Sequence, residues 1–196
     1  LFQRPWVQVG CNMEYDRIAP LMGNLWSPIC AVTSRWRDKA NAQIAVAIAG
    51  ASIVPSMPRV LVQIYKTNYS HDLIHGSGAF ALNFLRKDQL DLIKNFGMVS
   101  GRDKEKLAGV PYKSGPSGSP ILEECWGYLD CRVVNAMDGG DMTCFLADVL
   151  EGETVAPGDP LWWRDARREI PDQWNQDWDR QIQGEIEISV QRMPNI

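Results

Sequence analysis

The sequence predicts a mainly β fold, an antiparallel barrel or sandwich carrying a few short helices. Three observations point there. About seven short stretches alternate apolar and polar residues with a period of two. Most links between them are too short to hold a crossover helix, which favours antiparallel pairing. Turn residues, above all Asp138-Gly139-Gly140, stand where hairpins need them.

The first 25 residues are irregular, punctuated by Pro5, Gly10, Pro20 and Gly23. Strand signals start at Ser27. Ile29, Ala31 and Thr33 share one side, and Cys30, Val32 and Ser34 the other. Arg35–Lys39 reads as a hairpin turn. Ile44–Gly50 is small and apolar throughout, so it reads as a strand buried on both faces or covered by a ligand or partner. After a loop with Pro55 and Pro58, Arg59–Tyr65 alternates again. Ser70–His75 reads as a short helix with Ser70 as N-cap and Gly76 as stop. Phe80–Phe84 is a strand, and Asp88–Phe96 a helix ended by Gly97. Ser114–Pro120 reads as a flexible loop, and Trp126–Val134 and Met142–Leu150 as a strand pair. Pro157–Gln183 is a tryptophan-rich helical stretch broken by Pro171. Ile186, Ile188 and Val190 alternate with polar residues, which predicts a final half-exposed strand.

At 196 residues the chain reads as a single domain over 1–196, with 157–196 as the tryptophan-rich helical segment plus final strand. Hydrophobic residues make up 45% and charged residues 22%, which excludes disorder. A net charge of -4 leaves no basic excess for phosphates, so no nucleic-acid partner is expected. No apolar run approaches the roughly twenty residues of a membrane span. No signal peptide is visible, and the first residue, Leu1, suggests a few residues missing upstream. Five cysteines without a Cys-x-x-Cys pair read as reduced, mostly buried thiols of a cytoplasmic protein.

Hydrolytic chemistry finds no support. There is no Gly-x-Ser-x-Gly elbow, and only His71 and His75 could serve a triad. Those two histidines lie four apart on one helix face, but two ligands are no metal site, so no metal is expected. Lys66-Thr67-Asn68-Tyr69-Ser70 is more promising. It joins a strand to a helix, so free amides, the Ser70 hydroxyl and Lys66 could hold an anion; an ordinary cap with a surface lysine is the plainer reading. Ser52 ends a nearby apolar strand. Phe96–Leu107 is a loop dense in turn formers and cations.

Taken together, these segments resemble the flavin reductase-like family of FMN-binding split barrels. Trp26–Thr33 is similar to the family's first barrel strand, and Asn41–Val46 to its second, with an Asn followed by small residues. Ala51–Val60 resembles a Ser-x-x-x-Pro-Pro segment, here with two residues between the prolines. Tyr69–Ile74 with Gly78–Asn83 resembles Tyr-Ser/Thr-x-x-x-Ile … Gly-x-Phe-x-Val/Leu-Asn. Phe96-Gly97 … Ser100-Gly101-Arg102-Asp103-x-x-Lys106 resembles a Phe-Gly-x-x-Ser-Gly-x-Asp-x-Asp-Lys-Phe loop, with Glu105 and Leu107 departing from it. Pro120–Glu123 before Leu129–Cys131 resembles Pro-x-Leu-Glu … Leu-x-Cys. The similarity spans about 25–151.

The resemblance implies a six-stranded antiparallel Greek-key split β-barrel and a homodimer with FMN near its interface. It implies that Asn41, Ala42, Gln43, Ala47, Ala51 and Ser52 line the flavin ring and ribityl chain. Lys66, Asn68, Tyr69 and Ser70 would hold the phosphate, and Ser100 to Lys106 would close over the flavin. The implied function is an FMN-dependent oxidoreductase. NAD(P)H or a redox protein would be its electron partner, and no catalytic side chain stands out. Many flavin reductases of the family carry Gly-Asp-His where this chain has Gly140-Asp141-Met142. That departure weakens nicotinamide use more than flavin binding, and flavoredoxin-like branches share it. The alternative is a split-barrel binding module, flavin-free or non-catalytic. Trp162, Trp163, Trp174 and Trp178 are too apolar a group to leave in water. They are expected to pack on a barrel and to help form the dimer.

Overall fold

In the segment around Ile29, apolar residues fall on both sides of the chain, and the structure gives each side its own core. Ile29 and Ala31 join a cluster with Leu85, Ile93, Phe96 and Leu161; Cys30 and Val32 join another with Val62, Ile64, Phe80 and Phe145. A strand apolar on both faces needs two partners. Here the second cluster fills a barrel and the first lies between the barrel's outer face and a layer of helices.

The computed structural model describes residues 17–25 and 27–193; Trp26, Cys11 and the rest of the first 16 residues lie outside it. Its elements in order are α1 (Ala19–Met22), β1 (Cys30–Trp36), β2 (Lys39–Ala45), β3 (Ile48–Gly50), β4 (Arg59–Tyr65), α2 (Tyr69–Ser77), β5 (Ala79–Phe84), α3 (Leu90–Gly97), β6 (Tyr112–Ser114), β7 (Pro120–Leu122), β8 (Gly127–Asp138), β9 (Met142–Thr154), α4 (Trp163–Glu169) and α5 (Asp172–Val190).

One antiparallel sheet runs β2-β1-β5-β8-β9-β4-β3, with β6 and β7 forming a separate ribbon. β2 and β3 sit at opposite edges of that sheet yet are consecutive in the chain. Only Val46 and Ala47 separate them, bonded through their carbonyls to the amides of Ser27 and Gln63. A single bent strand thus serves both edges and closes the sheet, which makes six strands around the ring, as expected. Beyond this bend the ring is split: β2 pairs only with β1, and β4 beyond Val62 pairs only with β9. Helix α2 plugs the barrel, contributing Leu73 and Ile74, both buried.

Three expectations are corrected. The final strand is instead the second half of α5, a helix of 19 residues. The Gln- and Glu-rich run from Asp179 to Glu187 is good helix former and carries the helix on through Ile186, Ile188 and Val190. Ser70 is not the N-cap of α2; that position is Asn68, and the helix ends at Gly78, whose φ of 66° is the left-handed stop. The Ile44–Gly50 segment is bent rather than continuous, and Ala49 and Gly50 are exposed. Ser114–Pro120 carries strand residues at both ends, and Asp130 accepts from the Ser117 amide at 2.7 Å. The tryptophan expectation holds in its packing part for three of the four: Trp163, Trp174 and Trp178 lie against the outer core, whereas Trp162 is exposed. Among the described residues no helix is long and apolar enough to cross a membrane.

Candidate functional site

The split between β2 and β4 opens into a cleft of about 520 Å³. β2 supplies Asn41 and Gln43, two residues apart and so on one face; β4 supplies Tyr65; Thr67 to Tyr69 lead into α2; and Phe96 to Gly101 bring the end of α3. Lys106 is the one cation among the lining residues, and α5 forms the remaining wall.

Three lining atoms are buried without a hydrogen-bond partner among the described residues: Asn41 Oδ1, Gln43 Oε1 and Thr67 Oγ1. Burying a polar atom unpaired costs about 1–3 kcal/mol, so three around one cavity mark a place where a ligand supplies the partners. The orientation of Asn41 follows from its neighbour, because its Nδ2 donates to Ser70 Oγ at 2.9 Å and leaves Oδ1 toward the cleft. No side chain caps α2; the His71 amide donates to the Asn68 carbonyl at 3.0 Å, which leaves the Tyr69 and Ser70 amides of the first turn open to an anion.

Lys106 is 5% exposed, and its Nζ donates to the Phe96 carbonyl at 2.7 Å. Burial pulls its pKa down to about 8, and no carboxylate pairs with it among the described residues. Arg102 fastens this loop to α2, donating to the Thr67 carbonyl at 2.9 Å and pairing with Asp72 at 2.7 Å. Gly101 is required here, since a Cβ would lie 2.1 Å from Asn41 Oδ1.

Of the twelve residues singled out from the sequence, the cleft brings together Asn41, Gln43, Asn68, Tyr69, Ser100 and Lys106. Ser70 lies directly behind it, fully buried beneath Asn41. Ala42 points away, into the outer core. Lys66 turns from the cleft to pair with Asp138 on β8. Ala47 holds the bend, while Ala51 and Ser52 are exposed on the β3–β4 loop, where Ser52 Oγ accepts from the Val54 amide. Sequence reasoning missed Thr67 as an anion partner in its own right, and it missed the whole α5 wall. The signal for that wall was present, since Trp178 and Ile182 recur four apart beside Asp177, Gln181 and Glu185. Among the described residues no His/Cys/Asp/Glu group could hold a metal, and Cys30, Cys125, Cys131 and Cys144 are free thiols. His71 donates to or accepts from Thr143 Oγ1 at 2.9 Å inside the barrel end, away from the cleft lining.

Fold and site together define a split-barrel protein whose ligand cleft is the split itself. The chain matches the flavin reductase-like domain over residues 22–171, and it belongs to that family. It is 30% identical over 132 residues to a high molecular weight rubredoxin of Moorella thermoacetica, covering 66% of this chain and 57% of that one. It is 31% identical to the reductase subunit HsaB of a flavin-dependent monooxygenase from Mycobacterium tuberculosis, covering 62% of each. Among solved structures, nitrilotriacetate monooxygenase component B from Mycobacterium thermoresistibile superposes with a TM-score of 0.65 at 25% identity, covering 74% and 80% of the two chains. The chain thus spans less than two thirds of the length of the first curated relatives it matches, and only 25% of a diflavin flavoprotein from Nostoc.

Proposed function

We propose that the chain is an FMN-binding flavoprotein that acts as an oxidoreductase in the cytoplasm, as a homodimer. The observation that carries the reading is the cleft: three unpartnered polar atoms, an uncapped helix start and one buried lysine meet there. Its residues fit the cofactor. The first amides of α2, Thr67 Oγ1 and Lys106 suit a phosphate. Asn41 Oδ1 and Gln43 Oε1 suit the N–H and O–H donors of the ring and ribityl chain. When bound, flavin supplies one- and two-electron chemistry. The chain's residues bind and orient it, and the Ser100–Lys106 loop with α5 shields it from water. In this reading Lys106 keeps its ammonium charge against the phosphate, and Ser70 acts indirectly by fixing the Asn41 amide. The electron partner is NAD(P)H or a redox protein, in keeping with relatives named flavin reductase and reductase subunit.

The homodimer rests on a second observation. Among the described residues, none forms a layer over the outer face of β4 and β9. Leu61 and Leu146 are half-buried there, and Ile53, Met57 and Met137 around its rim are 99%, 60% and 62% exposed. Apolar faces of this kind mark interfaces.

The test is the visible spectrum of the purified chain, followed by titration with FMN and with riboflavin. FMN should quench and bind at least about tenfold more tightly than riboflavin, since a charge-assisted phosphate contact is worth about 1.5–3 kcal/mol. A colourless protein that leaves FMN fluorescence unchanged overturns the reading in favour of a flavin-free binding module.

A further inference from the structure

Helix α5 begins at Asp172, one residue past the stretch that matches the family. Its contribution is orderly. Asp177, Gln181 and Glu185 form one row at spacings of four, and Trp178 and Ile182 form the row beside it. All five line the cleft. The Trp178 ring lies on Gly97, where a Cβ would come within 2.5 Å of it, and it packs 4.9 Å from the Trp163 ring, which holds it in place.

The charges on this wall are unequal in effect. Asp177 is neutralised by Arg180 and accepts from Gln173 Nε2 at 2.9 Å. Glu185 accepts from Gln181 Nε2 at 3.1 Å and has no ion pair among the described residues. The helix as a whole carries five carboxylates against one arginine. Across the cleft stands Lys106, which the reading above assigns to the flavin phosphate. A second molecule entering beside the flavin on the α5 side would therefore meet the indole of Trp178 and a carboxylate with no ion pair among the described residues, while the cations Arg35, Lys39, Arg102 and Lys104 line the neighbouring pocket beyond Tyr69 and Gly101.

We propose that α5 is the specificity wall for the molecule admitted beside the flavin, and that it selects a planar ring that is uncharged or cationic over one bearing phosphate, which disfavours NAD(P)H of the two electron partners named above. Trp178 supplies the stacking surface, and Glu185 supplies most of the repulsion, Asp177 adding less because Arg180 pairs with it. The proposal rests on the FMN-binding reading.

The test uses the full chain loaded with FMN and follows the flavin absorbance as two unreactive probes of the same ring are added. They are 1-methylnicotinamide, a planar cation, and nicotinamide mononucleotide, which adds a phosphate. The cation should bind at least about fivefold more tightly than the mononucleotide, the size of a modest charge interaction. Asp177→Asn with Glu185→Gln should shrink that preference to within about twofold. Trp178→Ala should weaken both probes by about fivefold or more, and Trp178→Phe should recover most of the loss. Should Trp178→Ala fail to fold, the carboxamide pair and Trp178→Phe decide alone. Equal or tighter binding of the mononucleotide by the wild-type chain overturns the proposal. So does a preference that survives removal of both carboxylates. A chain that never takes up FMN instead overturns the reading beneath it.

Discussion

The two outer faces of the barrel are made from the same kind of strand and end up in opposite surroundings. Outside β1, β5 and the start of β8, the chain lays α3, α4, α5 and the β6–β7 ribbon, and Phe96, Ile93, Leu161 and Ile121 are almost wholly buried there. Outside β4 and β9 none of the described residues forms a second layer, and Leu61, Leu146 and the apolar rim around them face outward. The covered face is completed within one chain. The bare face has the same period-two pattern and lacks only a second layer. Alternation therefore fixes which residues of a strand point outward, and connectivity decides whether anything meets them.

Four measurements break or sharpen this contrast. The largest effect belongs to the covered face. Phe96→Ala should cost about 3–5 kcal/mol in denaturant unfolding, because a fully buried ring leaves a cavity. Leu146→Ala on the bare face should cost far less in the monomer. A comparable cost at both positions would erase the distinction. Next, Leu61→Lys with Leu146→Lys should split the proposed dimer, worth about 2–4 kcal/mol of association, while leaving the monomer folded. Light scattering across a dilution series reads this, and a dimer that persists moves the interface elsewhere.

Gly97→Ala comes third. The new methyl would press on Trp178, so α5 should shift at a cost of about 1–3 kcal/mol, visible as a red-shifted tryptophan emission. The smallest effect is the pH response of Lys106. Its folded pKa, about 8, is lower than the usual lysine value, so the unfolded chain binds the extra proton between the two. The stability of the empty protein should therefore rise with pH above about 8. FMN affinity should move the other way, falling up to about tenfold per pH unit as the ammonium is lost. Lys106→Met should flatten both trends, and riboflavin should show neither.

Much of this was legible in the sequence. The hairpin at Asp138–Gly140, the two-sided strand at Ile29–Ser34 and the helix break at Pro171 each carry a local cause that needs no tertiary partner. The cleft was half legible. Asn41, Gln43, Tyr69 and Lys106 stand in recognisable motifs, but Lys66 sits in one too and turns to Asp138, a partner 72 residues away. The choice between two nearby lysines is made by which carboxylate lies within reach, and no local pattern encodes that. The final helix misled for a different reason. Ile186, Ile188 and Val190 alternate as a strand would, yet the alternation is short and continues a run of helix formers from Asp179, so the helix already under way extends through it.

That bent strand has one more consequence. Where the ring is split, the outward backbone groups of β2 have no partner strand, and such an edge is a template on which another chain can lay a strand. In this molecule α5 and the end of α3 stand over that edge. The helix that shapes the cleft is thus also a guard against aggregation. A chain ending at Pro171 would keep its barrel and still offer β2 to its neighbours, and its loss would show first as assembly of a folded protein rather than as unfolding.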